Sequence, residues 1–256
     1  MRFVAGVEAY DRSVGRYSRE VAPRFTAFAG VNALPHGPVL DVGCGPGALT
    51  AWLAQRVGAT AVCAVDPTEH FADACRARVP GADVRVATAE ALPFREATFQ
   101  AALAQLVLTF VADGPRAAAE MARVVRPGGV VAACSFEADG FGPARLFWEA
   151  ARRFDPAAPD DARLPYRREE ELVALLAGAG LRDVRTGRFG LEVDYDGLDD
   201  LCAMFAAGVG PTGAYFQKQP EERRAAIRDA LHDLLGRPRA GFSLPATVIA
   251  ASGRRA

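Results

Sequence analysis

Short apolar runs alternate along this chain with stretches in which apolar positions recur every three or four residues. PVLDV at 38–42 reads as a buried strand. It runs into the turn Gly43-Cys44-Gly45-Pro46-Gly47, after which 48–57 carries Leu49, Trp52 and Leu53 on one helical side. TAVCAV at 60–65 gives a second strand, and Asp66-Pro67-Thr68 opens the next helix with an acceptor near its N-terminus. Further strands fall at 82–87, 99–107 and 130–136, with a helix over 114–125 and a turn at Pro127-Gly128-Gly129 before the fifth. Alternating strands and helices predict an α/β domain, its parallel sheet covered on both faces.

The second half is less regular. A helix is predicted over 169–179, ended by Gly180, then a strand at 182–188 and a last strand, ATVIAA, at 246–251. Between these strands 196–235 is mainly helical, interrupted by GVGPTG at 208–213, and 156–165 reads as a loop. In parallel sheets of this kind ligands bind beyond the carboxyl ends of the strands. The glycine turn after the first strand and Asp66 at the end of the second both fall there.

Glycines at a strand-to-helix turn permit positive φ and let a ligand approach the backbone closely. A dinucleotide-binding G-x-G-x-x-G has two residues before its third glycine, whereas this turn has one. Asp41, just before the turn, suits a ligand with an ammonium group better than one with a pyrophosphate. Asp66 can accept hydrogen bonds from two ribose hydroxyls. Capping of the following helix is its plainer role, and the two do not exclude each other.

The glycine motif, VDPTEHF at 65–71, ATAEALPF at 87–94 and RVVRPGGVV at 123–131 together resemble the class I S-adenosylmethionine-dependent methyltransferases, small-molecule type, in order and spacing. The resemblance covers 38–137. It implies a Rossmann-like, seven-stranded, mostly parallel sheet with helices on both faces and a mainly helical cover inserted before the last strand. One domain is then expected: an N-terminal helical cover (1–35), a cofactor-binding core (36–137), the remainder of the core (138–190), a helical substrate cover (191–245) and the last strand and tail (246–256).

Carried over residue by residue, the resemblance implies that Gly43, Cys44 and Gly45 line the methionine part of S-adenosylmethionine, with Asp41 nearby. Asp66 would hold the ribose, Pro67 would flank the adenine, and Ala89 and Glu90 would border its edge. Gln105 and Leu106 would contact the amino-acid end. Thr88 stands where the family often has aspartate, and Phe99-Gln100 replaces its usual Phe-Asp. Tyr10-Asp11-Arg12 and Gly15-Arg16-Tyr17-Ser18 resemble one subgroup's leading helix, which makes Tyr10 and Arg16 candidates, the latter as partner of the cofactor carboxylate. GPTGAYF at 210–216 and the helix at 220–235 resemble that subgroup's insertion.

The implied reaction is transfer of an activated methyl group to an O, N or C nucleophile by in-line displacement, leaving S-adenosylhomocysteine. The protein's main task is then to align the acceptor and exclude water. A general base is needed only where the acceptor must lose a proton. Glu137, Asp139, Tyr215 and His232 are candidates to meet an acceptor, each with an ordinary structural reading beside the catalytic one. His36 precedes the first strand and reads as structural, and His70 as a surface or adenine-side residue. Phe141, Phe147, Trp148, Phe205 and Phe216 fall in covering segments and can line an apolar pocket or belong to the core. Two other functions share these features: a non-catalytic module that binds the cofactor, and a nicotinamide-dependent oxidoreductase.

Composition narrows the partners. The 30 basic and 31 acidic side chains nearly cancel, giving a net charge of −1 and no whole-chain attraction to nucleic acid or an anionic membrane. Lys218 is the only lysine, so arginine supplies nearly all the positive charge. The five cysteines, Cys44, Cys63, Cys75, Cys134 and Cys202, show no metal-ligand or C-x-x-C spacing, so no metal is expected. Charges throughout the first twenty residues and the lack of a long apolar run predict a cytoplasmic protein acting on a small-molecule acceptor. No sequence feature fixes its oligomeric state.

Overall fold

In the computed structural model, which describes residues 6–31 and 37–256, seven strands form one sheet in the order β3-β2-β1-β4-β5-β7-β6. Strands β1 (Val39–Val42), β2 (Val62–Asp66), β3 (Asp83–Val86), β4 (Phe99–Gln105) and β5 (Val125–Phe141) run parallel. β7 (Phe242–Arg254) inserts antiparallel between β5 and β6 (Arg182–Tyr195). His36 lies outside the described residues.

Strand periodicity distributes the side chains between two cores. Ala101, Leu103, Val130, Ala132 and Cys134 face one side, where they meet α2 (Val14–Ala29), α3 (Ala48–Val57), α6 (Gly142–Arg152), α8 (Leu198–Ala206) and α10 (Glu221–Leu234). Ala102, Ala104, Val131 and Ala133 face the other, against α5 (Gly114–Val124) and α7 (Glu169–Gly178). Small residues in β4 and β5 allow the helices to approach closely. α4 (Glu69–Arg78) packs Ala72 and Cys75 against Ala64 and Val84 at the end of the sheet. Asp113 caps α5 by accepting from Arg116 N at 2.9 Å, with proline in the first turn.

Several boundaries move. The stretch expected to begin the second strand at Thr60 starts as a 3-10 turn, Ala59–Ala61. β6 continues to Tyr195 and β7 starts at Phe242, so 191–195 and 242–245, assigned to the helical cover, belong to the sheet. The interruption expected at 208–213 is present but shorter: α8 ends at Ala206, and GPTG forms the first turn of α9 (Gly210–Lys218), with proline where a helix needs no donor. α6 was not anticipated, and a leading α1 (Val7–Arg12) precedes α2. Among the described residues no helix is long and apolar enough to cross a membrane.

Candidate active site

The turn after β1 is held by its neighbour strand. Gly43 N and Cys44 N both donate to the Val65 carbonyl, at 2.8 and 2.9 Å. Gly43 has φ +74°, and a Cβ built there would lie 2.5 Å from Val107 Cγ1. Both conformation and contact demand glycine. Asp66 then ties this turn to α4, one oxygen accepting from Gly45 N at 2.9 Å and the other from Thr68 N at 2.8 Å. Burial raises the Asp66 pKa above the ordinary carboxylate range, and these two bonds offset part of that shift.

Turn, Asp66 and α1 together wall a cavity of about 680 Å³ beyond the carboxyl ends of the strands. Of the residues predicted to hold the cofactor, Tyr10, Gly43, Gly45, Asp66, Pro67, Thr88, Ala89, Glu90 and Leu106 line it. The Tyr10 ring packs 5.0 Å from that of Phe71, and burial raises its hydroxyl pKa, so it stays protonated. Glu90 also reaches back to cap the approach to α5, accepting from Ala112 N at 2.9 Å. Leu106 has φ +60°, a strained backbone for a residue with a side chain.

Asp41, Cys44 and Gln105 border a small recess beside the glycine turn, together with Tyr10 and Ser18. Asp41 accepts from Thr50 Oγ1 at 2.6 Å, and burial pushes its pKa up to about 7. Gln105 Nε2 donates to the Ser18 carbonyl at 2.9 Å. Its Oε1 is, among the described residues, the buried side-chain polar atom left without a partner. Such an atom costs about 1–3 kcal/mol unless something donates to it.

Arg16 is used elsewhere. Its guanidinium grips both Asp200 oxygens, at 2.9 and 2.7 Å, and lies over the Tyr195 ring, joining α2 to α8 and β6. Here its fork is filled by Asp200 rather than open toward a ligand carboxylate.

A second cavity, about 80 Å³, adjoins the first and shares Val14, Leu106, Phe110, Val209 and Gly210 with it. None of the four acceptor-side candidates lines either cavity. Glu137 pairs with Arg188, and Asp139 is exposed. Tyr215 donates to Asp155 at 2.8 Å, and His232 contacts Arg237 at 3.5 Å. Of the aromatic residues expected to cover the site, Phe141 reaches this cavity, whereas Phe147, Trp148, Phe205 and Phe216 pack together between α6, α8 and α9. The residues that do bring polar chemistry to the second cavity are Asp161, Arg167, Thr212 and the Thr109–Ser135 hydroxyl pair. No motif marked them.

A family model for the methyltransferase domain matches residues 40–133. An uncharacterized protein of Mycobacterium tuberculosis is 31% identical over 201 residues, covering 75% of this chain and 70% of that one. A malonyl-[acyl-carrier protein] O-methyltransferase of Geobacter sulfurreducens is 29% identical over 185 residues, covering 71% and 69%. Among solved structures, a S-adenosylmethionine-dependent methyltransferase of Thermotoga maritima superposes with a TM-score of 0.53 at 20% identity, over 97% of this chain and 99% of that one. The chain belongs to the class I S-adenosylmethionine-dependent methyltransferases, and its cofactor is S-adenosylmethionine. That membership replaces the nicotinamide-dependent reading and makes the protein an enzyme.

Proposed function

We propose that the protein methylates a small-molecule acceptor, with S-adenosylmethionine in the larger cavity and the acceptor's reactive end in the smaller one. The observation that carries this reading is the match of two unfilled polar groups to the two ends of the cofactor. Asp66, already accepting two backbone N–H groups, has lone pairs left for ribose hydroxyls. Gln105 Oε1 lacks the donor that an ammonium group supplies, and the Asp41 carboxyl borders the same recess. Pro67 and Phe71 offer apolar surface for the adenine, and the Thr88–Glu90 segment borders its polar edge.

When bound, the cofactor supplies a methyl group already activated by its positive sulfur. The chain's own residues bind, orient and dry the site. The cavity walls at Val14, Leu106, Phe110 and Val209 are shared by both chambers and give their junction an apolar lining that would keep water from it once both ligands are bound. The strained Leu106 backbone aims that junction. Amide hydrogen exchange with and without S-adenosylhomocysteine tests the reading. Slower exchange is expected in 43–47 and 88–90; unchanged exchange in both segments would contradict it.

A further inference from the structure

Asp161 is a buried carboxylate with one oxygen held and one unused. It sits on the 3-10 turn Asp161–Arg163, is only 9% exposed, and borders the smaller cavity. Its Oδ1 accepts from Trp148 Nε1 at 2.9 Å, which sets the rotation of the carboxylate. Among the described residues Oδ2 has no hydrogen-bond partner, and it keeps some accessible surface.

The neighbouring cation is spent on backbone. Arg167 donates to the Phe136, Asp161 and Glu137 carbonyls, at 3.1, 2.7 and 2.9 Å, and makes no ion pair with Asp161. Asp161 and Arg167 are the charged residues lining this cavity, so its net charge is zero. The rest of the wall is largely apolar, with Phe110, Phe136, Phe141, Leu164, Met204 and Val209. Thr109 and Ser135 satisfy each other at 2.9 Å. A cavity of zero net charge with largely apolar walls penalises an anionic or cationic ligand. It favours an apolar body with one donor for the open oxygen.

Resting on the cofactor assignment above, we propose that Asp161 is the general base of the reaction and that the acceptor is a neutral phenol- or enol-type hydroxyl compound. The acceptor O–H proton passes to Asp161 Oδ2 while the oxygen lone pair bonds to the methyl carbon. The electrons of the broken carbon–sulfur bond remain on sulfur, giving a methyl ether and S-adenosylhomocysteine. Trp148 is a positioning residue, since it acts by orienting Asp161.

The test uses 4-nitrophenol, whose ionised form has a visible band, with the full chain saturated with S-adenosylhomocysteine. At a pH where the free probe is half ionised, binding to the wild type should bleach that band, because a phenolate cannot sit beside Asp161. Asp161→Asn keeps an acceptor for Trp148; it should bind the probe about tenfold more weakly and retain the band. Benzoate and benzylamine should not bind the wild type. An unchanged band on the wild type, or the same affinity and spectrum in Asp161→Asn, would overturn the proposal, as would preferred binding of benzoate or benzylamine. Failure of S-adenosylhomocysteine to bind the wild type would instead remove the reading beneath it.

Discussion

Around Asp66 the cleft is walled by backbone: Gly45 and Thr68 amides converge on one carboxylate, and the Val65 carbonyl holds the turn beside it. Around Asp161 it is walled by side chains drawn from β5, α8, α9 and the segment leading to α7. The first region is a backbone-built socket whose geometry follows from glycine conformations and strand ends. The second is an assembly of distant residues whose identities can change without altering the fold. On the proposed function, the socket can therefore stay the same while the acceptor changes.

Predictions that separate the two regions can be ranked by expected effect. Gly43→Ala should be the most damaging, since it places a methyl in a left-handed conformation and against Val107. The strain and overpacking together cost about 3 kcal/mol or more, and Tm should fall by about 5–10 °C with loss of cofactor binding. Thermal melts and titration check both; an unchanged Tm would break the description of a backbone-built socket.

Gln105→Leu should weaken S-adenosylmethionine binding about tenfold, while loss of the bond to Ser18 costs about 1 kcal/mol of stability. Calorimetry beside denaturant unfolding separates the two. If affinity holds, Oε1 is not a cofactor contact.

Asp41 sharpens the comparison through pH. Its folded pKa, about 7, lies above its ordinary 3.8, so between these values the folded state retains a proton that the unfolded state releases. Stability of the cofactor-free protein should therefore fall as pH rises through this window. Asp41→Asn should flatten that dependence and weaken cofactor binding. Melts at pH 4.5 and 7.5 check the slope.

Arg16→Ala should have the smallest effect on ligands. Breaking its half-buried pair with Asp200 costs about 1 kcal/mol of stability, with cofactor affinity within about twofold of wild type. A large loss of affinity would return Arg16 to the cofactor site.

Most of the socket was legible because its determinants are local. Gly43 to Gly47 lie in one turn, and Asp66 ends the adjacent strand, so spacing alone located them. No local pattern reveals that the Arg16 fork is filled by Asp200, 184 positions away. Asp161 went unnoticed because its orientation depends on Trp148, and its unused oxygen exists only in the folded chain. α6 opens with Gly142-Pro143, and proline in a first helical turn gives up no hydrogen bond. β6 was cut short because much of it is exposed, and Gly187 and Gly190 break its alternation.

The most direct test of the central claim is calorimetric titration of wild type and Asp66→Ala with S-adenosylmethionine, with NADH as control. Saturable one-to-one binding of S-adenosylmethionine alone, weakened about tenfold or more by Asp66→Ala, is the predicted result. Absence of binding to folded wild type, or equal affinity in Asp66→Ala, would contradict the account.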